Sequence, residues 1–240
     1  MSATMSDHPG VLRESLTGAG LILANLVAAP VRRGATNRWG ATPSEVAAAM
    51  PGDDLVPAPR MSSTRAITIA APPAVVWAWL DQIGHGRAGL YSYDGLENLV
   101  GCDLHSADSI LVDAVPLAVG DLVALGPVGY PCFRGAATDA PRSLVLLAAD
   151  RRTRRAPTGP VVPGESRATW QWQLQPRDDG ATTRLVARQR YAHPRLAALV
   201  WRVVEPIDFV MERRMLRGIE ARATGAGSLR AAYPVSATRG

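Results

Sequence analysis

The side chains most able to do chemistry crowd into one block, Gly89–Asp108, GLYSYDGLENLVGCDLHSAD. His105-Ser106-Ala107-Asp108 brings together the three side-chain types of a hydrolase triad. Adjacent Ser and His do not reach nucleophile–base geometry, and no G-x-S-x-G elbow is present, so the pattern argues against serine hydrolysis. His105 alone remains a candidate general acid or base, because an imidazole titrates near pH ~6.5. Its plainer role is surface capping or hydrogen bonding. Asp94 and Glu97 form D-x-x-E, a capping arrangement for a short helix Gly95–Val100 that Gly101 would stop. That gives the acids a structural task and leaves Tyr91, Tyr93, Asn98 and His105 as candidate ligand contacts. If the chain is extended around Ser92, Tyr91 and Tyr93 share a face and offer apolar surface with a hydroxyl on each ring.

Other chemistries find less support. The four histidines, at positions 8, 85, 105 and 193, show no metal-ligand spacing, and there is no C-x-x-C, so no metal is expected. GHGRAG (Gly84–Gly89) lacks the ending and the context of a phosphate loop, and no cofactor is expected. The chain has no lysine, so its formal charge of +5 comes from arginine in an Ala-rich background. That looks like a compositional bias rather than a nucleic-acid signal. Arg151, Arg152, Arg154 and Arg155 read as a solvated loop without interleaved aromatics, so no nucleic-acid partner is expected. Cys102 and Cys132 could make at most one bridge, and a reducing, cytoplasmic setting follows.

These residues need elements to hold them. Ser15–Val31 is a run of 17 uncharged residues bounded by Glu14 and by Arg32 and Arg33. As a helix it would reach about 26 Å, against roughly 30 Å of hydrocarbon. Three readings stand: a helix packed on the domain or lying at a membrane surface, a true span, or a cleaved or disordered leader. Residues 1–37 form this extension. Residues 38–60 form a linker, with a T-x-x-E capping box at Thr42 opening a short helix and three prolines following. The main domain is placed at 61–224, with a small, polar tail at 225–240.

Inside the domain, Thr64–Ala70 alternates as a strand, and Pro72-Pro73 opens a helix expected to run to Gly84. Trp77 and Trp79 point to different sides of it, and at least one should be buried. Strands are expected over Asp121–Leu125, Tyr130–Thr138, Ser143–Ala149, Thr169–Gln175 and Thr182–Tyr191, the last two joined by a hairpin at Asp179-Gly180. Trp170, Trp172 and Leu174 face one way, and the intervening glutamines face a wet side. A final helix, Glu205–Thr224, has Pro206 in its first turn. Ile207, Met211, Met215 and Ile219 form its apolar stripe, and Glu212, Arg213, Arg217 and Glu220 its wet side. Sheet and helix should meet, with Trp170, Trp172, Met211 and Met215 as either plain core or the walls of a cavity.

ITIAAPP, VWAWLDQIG, the Gly89–Asp108 block, VGDLV and EPIDFVMERRMLRGIEAR together resemble the SRPBCC superfamily over roughly Arg38 to Ala223. RWGAT, YSYD-x-LEN, HSAD and MERRMLRGI resemble one bacterial subgroup of it with no assigned chemistry. The resemblance implies an α+β helix-grip fold: a curved antiparallel sheet wrapped around a long C-terminal helix, here with an N-terminal helical extension. It puts the Gly89–Asp108 block near a cavity mouth and implies a hydrophobic or amphipathic, lipid-like or polyketide-like small molecule as partner. The alternatives are a polyketide cyclase, aromatase or dehydratase-like enzyme, with His105 or a tyrosine moving protons, and a membrane-tethered interaction domain. A peripheral membrane contact through residues 15–31 belongs with the last.

Overall fold

The computed structural model describes residues 9–162, 165–194 and 198–225; the tail expected at 225–240 lies outside them except for its first residue. A 28-residue helix, α1 (Pro9–Thr36), leads into a short helix α2 (Pro43–Ala47). There the T-x-x-E reading holds in full: Thr42 caps Glu45 N–H, and the Glu45 carboxylate accepts from Thr42 N–H. A six-stranded antiparallel sheet follows, in the order β1-β6-β5-β4-β3-β2. Its strands are β1 (Met61–Ile69), β2 (Leu122–Ala124), β3 (Cys132–Asp139), β4 (Ser143–Ala149), β5 (Arg167–Arg177) and β6 (Thr182–Ala192). Helices α3 (Pro73–Leu80) and α4 (Asp94–Leu99) lie between β1 and β2, and α5 (Ala198–Gly225) ends the described chain.

The alternation in β1, β5 and β6 aims Ile67, Ile69, Trp170, Trp172, Leu174 and Leu185 inward, where they join Met215, Leu216 and Ile219 of α5 in one core. Trp77 and Trp79 of α3 are both buried. The α+β architecture of a curved antiparallel sheet packed on a long C-terminal helix is therefore present, and it is compatible with a helix grip.

Several local expectations change. Helix α3 stops at Leu80, not at Gly84, because Asp81 and Gln82 are used as pegs: their side chains accept from Leu117 N–H and Leu111 N–H. Pro206 is not in the first turn but inside α5, which already runs from Ala198. The sheet's other face is not simply wet. Residues 42–57 cover its β1–β6–β5 side, so Gln171 and Arg188 are buried there together with Val56 and Met50.

Helix α1 packs along α5 and α4. Gly18 permits the approach to α4: a Cβ there would stand 2.7 Å from the Leu96 side chain. Glu205 ties the two long helices, accepting from Arg33 and Asn37, and Glu14 pairs with Arg214. Among the described residues no helix is long and apolar enough to cross a membrane. Leu12, Leu16, Leu23, Val27 and Val31 nevertheless stay exposed along one side of α1. Cys102 and Cys132 are both buried free thiols.

Candidate functional site

The Gly89–Asp108 block is mostly a clasp. Tyr93, not Asp94, is the N-cap of α4, and it caps without a side-chain bond. The Asp94 carboxylate instead accepts from Ser106 N–H (2.6 Å) and Ser106 Oγ–H (2.7 Å), so the capping-box reading gives way to a staple across the loop. Asn98 completes it, donating to Leu104 O and accepting from Leu104 N–H. Downstream, Arg222 of α5 donates to Ala107 O and pairs with Asp108 at 2.9 Å.

Tyr91 has φ 56°, a left-handed turn that breaks the extended path and sends the two tyrosines to different sides. Tyr91 goes inward, donates to Trp79 O and accepts from Gln82, and burial pushes its hydroxyl up to about 12. Gly218 of α5 lies against its backbone, where a Cβ would stand 2.2 Å from Tyr91 O; only glycine fits. Tyr93 instead faces α1, in a groove with Leu21, Asn25 and Arg214. His105 projects outward, its side chain 80% exposed and 3.2 Å from Asp103.

Behind the clasp, between the inner face of the sheet and α5, lies a cavity of about 330 Å³. Trp170, Met211 and Met215 line it, together with Phe133, Tyr130 and Leu104. Of the eight residues singled out from sequence as ligand contacts, the structure brings these three to the cavity. Trp172 packs beside Trp170, ring centroids 4.4 Å apart, but within the closed core. Tyr91, Tyr93, Asn98 and His105 lie outside the lining.

The polar side of the cavity comes from residues whose role the sequence did not announce. Glu212, expected on the wet side of α5, is buried. Its carboxylate accepts from Arg65 (2.5 Å), Trp170 Nε1–H (2.8 Å) and Gln189 (3.0 Å). Arg65 is fully buried in β1 and also pairs with Asp208 at 2.8 Å. Burial pushes the Glu212 carboxyl up against the pull of Arg65. The signal for Arg65 was present, since it stands two residues before Ile67 and so on the inward face of β1. Glu212 was hidden because α5 is covered from two sides, by the sheet and by α1, which widens its buried face beyond the four-residue stripe.

Glu97 on α4 is the other missed residue. It lines the cavity, is 8% exposed, and its Oε2 has no hydrogen-bond partner among the described residues. Burial, assisted by Asp94, pushes its carboxyl up to about 7. An acid near neutrality in an apolar enclosure can hold or move a proton, or pair with a cation.

A larger groove of about 420 Å³ runs between α1 and α5, beside Arg33, Arg202 and Glu205. It is a cleft between two helices with charged walls, and Arg65, Asp208 and Glu212 are not among its lining residues. Among the described residues no cluster of His, Cys, Asp and Glu could hold a metal ion.

No protein-family model matches the sequence, and no curated protein matches it significantly. Similar solved structures include a protein of Arthrobacter aurescens, 16% identical, covering 75% of this chain and 91% of that one at a TM-score of 0.41. One from Mycobacterium smegmatis is 22% identical over 72% of this chain and 94% of that one, at 0.39. One from Mesorhizobium loti is 16% identical over 69% and 98%, at 0.38. These likenesses say nothing of activity.

Proposed function

We propose that this chain is a helix-grip domain of the SRPBCC kind that holds a hydrophobic or amphipathic small molecule between its sheet and α5. The observation that carries the reading is the cavity itself: about 330 Å³, walled by Trp170, Phe133, Met211 and Met215, with a few fixed polar groups at one side. Small-molecule sites have this make-up, a largely apolar wall and a small number of orienting groups. The two methionines suit it, because unbranched thioether side chains adapt to varied apolar shapes.

The test is native mass spectrometry of the full chain purified from cells, with solvent extraction, and calorimetry with n-decanol as a neutral probe. A co-purifying apolar molecule, or saturable decanol binding that Met215→Trp abolishes, is expected. An empty protein that also fails to bind decanol sinks the reading.

A cyclase- or dehydratase-like enzyme is the second reading, and Glu97 favours it. A carboxyl near 7 is matched to proton transfer at neutral pH, and it faces the cavity where His105 does not. Turnover of a polyketide-like chain that Glu97→Gln abolishes, with binding retained, would establish it. A membrane-surface location rests on the exposed apolar side of α1, and co-sedimentation of the full chain with anionic vesicles tests it.

A further inference from the structure

Resting on the cavity reading, we infer that the molecule it holds is a lipophilic amine, whose ammonium group sits at Glu97 with its apolar body against Trp170 and the methionines. Three carboxyl groups border the cavity, on Glu97, Asp208 and Glu212, and no arginine or histidine is among its described lining residues. One guanidinium, that of Arg65, serves Asp208 and Glu212 together from behind the wall. Among the described residues Glu97 has no such partner, and its Oε2 is buried and unpaired beside the cavity. A buried, unpaired acceptor costs free energy unless a ligand supplies the donor.

The chemistry of the donor follows from the inventory. An ionised carboxylate only accepts hydrogen bonds, and a primary ammonium only donates them and carries the opposite charge. A fatty acid or other carboxylate ligand would bring a further negative charge into a site whose lining offers it no cation, and should be rejected. A neutral alcohol has the same apolar body and one donor, without the charge. The site therefore ranks amine over alcohol over acid, whereas a purely greasy cavity would rank them by apolar surface alone.

Calorimetry on the full chain at pH 8 with n-decylamine, n-decanol and decanoate separates these cases. A cavity of this size lies at the small end of small-molecule sites, so short chains are the appropriate probes. Decylamine is expected to bind roughly tenfold or more tighter than decanol, a difference of about 1.4 kcal/mol, with decanoate weaker than both. Glu97→Gln, which keeps the shape, should erase the preference for amine over decanol. Met215→Trp, which fills the cavity, should remove amine binding and so exclude adsorption on the surface. Equal affinities for amine and alcohol, a preference for decanoate, or an amine preference that survives Glu97→Gln each overturn the inference and leave the cavity reading standing. No binding by any of the three probes overturns both.

Discussion

On the outer face of the sheet, Arg184 grips Glu45 through two bonds of 2.7 and 2.8 Å. Arg188 spreads its donors over Asp53 and the carbonyls of Glu45, Val46 and Ala48, and Arg190 adds a second contact to Asp53. Glu45 and Asp53, the carboxylates these arginines meet, are both ion-paired. On the inner face two carboxylates share Arg65, and a third, Glu97, has no cation among the described residues. The outer set fastens the 42–57 segment to the strands, and its charges are matched within the protein. The inner set leaves the Glu97 carboxyl without a counter-charge beside a cavity, and that unpaired acid distinguishes a candidate site from a structural network.

Removing a cation from the inner face is the sharpest way to break this contrast. Arg65→Met should leave Glu212 buried and uncompensated and cost about 3–5 kcal/mol, read as a lowered urea midpoint. If the loss is under about 1 kcal/mol, the inner cluster does not depend on Arg65 as described. Glu97→Gln should act in the opposite direction, stabilising the chain by about 1–3 kcal/mol at pH 8, because it removes a buried charge without a partner.

The same two faces should respond to pH with opposite signs. The folded Glu97 carboxyl titrates near 7 against a usual 4.5, so the folded state binds more protons in that window and stability falls as pH rises through it. Glu45 is held at about 2, chiefly by its hydrogen bond from Arg184, so its contribution is present above 4.5 and is lost as pH falls toward 2. Melting temperature against pH should therefore decline from pH 5 to 8 in the wild type and decline less in Glu97→Gln, where the raised carboxyl of Glu212 remains. Glu45→Gln should lower the melting temperature throughout the range above pH 4.5 and lessen the fall on the acid side, because it removes the contribution that acid otherwise takes away. An undiminished decline above pH 5 in Glu97→Gln would assign it to another group, Glu212 first. The smallest effect is expected for His105→Ala: with the imidazole in solvent, stability and decanol binding should change by less than about 0.5 kcal/mol.

Much of this was legible one element at a time. The capping box at Thr42, the extent of β4, the hairpin after β5 and the inward tryptophans follow from local rules that involve near neighbours in the chain. The block around Tyr91 was less so. Residue types there pointed to chemistry, yet Asp94, Asn98 and Asp108 serve loop closure, and a left-handed Tyr91 separates the two rings.

The sequence by itself determined the order of strands and helices, the inward face of the sheet and the amphipathic character of α5, because periodicity is a property of one segment. Only the tertiary structure decided which charges are buried and which of those are paired. Glu212 became interior because α1 and the sheet enclose α5 from two sides. Glu97 became a raised, unpaired acid because the block that carries it folds over a cavity. Desolvation depends on what surrounds a group in space, and the neighbours that bury Glu97 and Glu212 come from segments far apart in the chain.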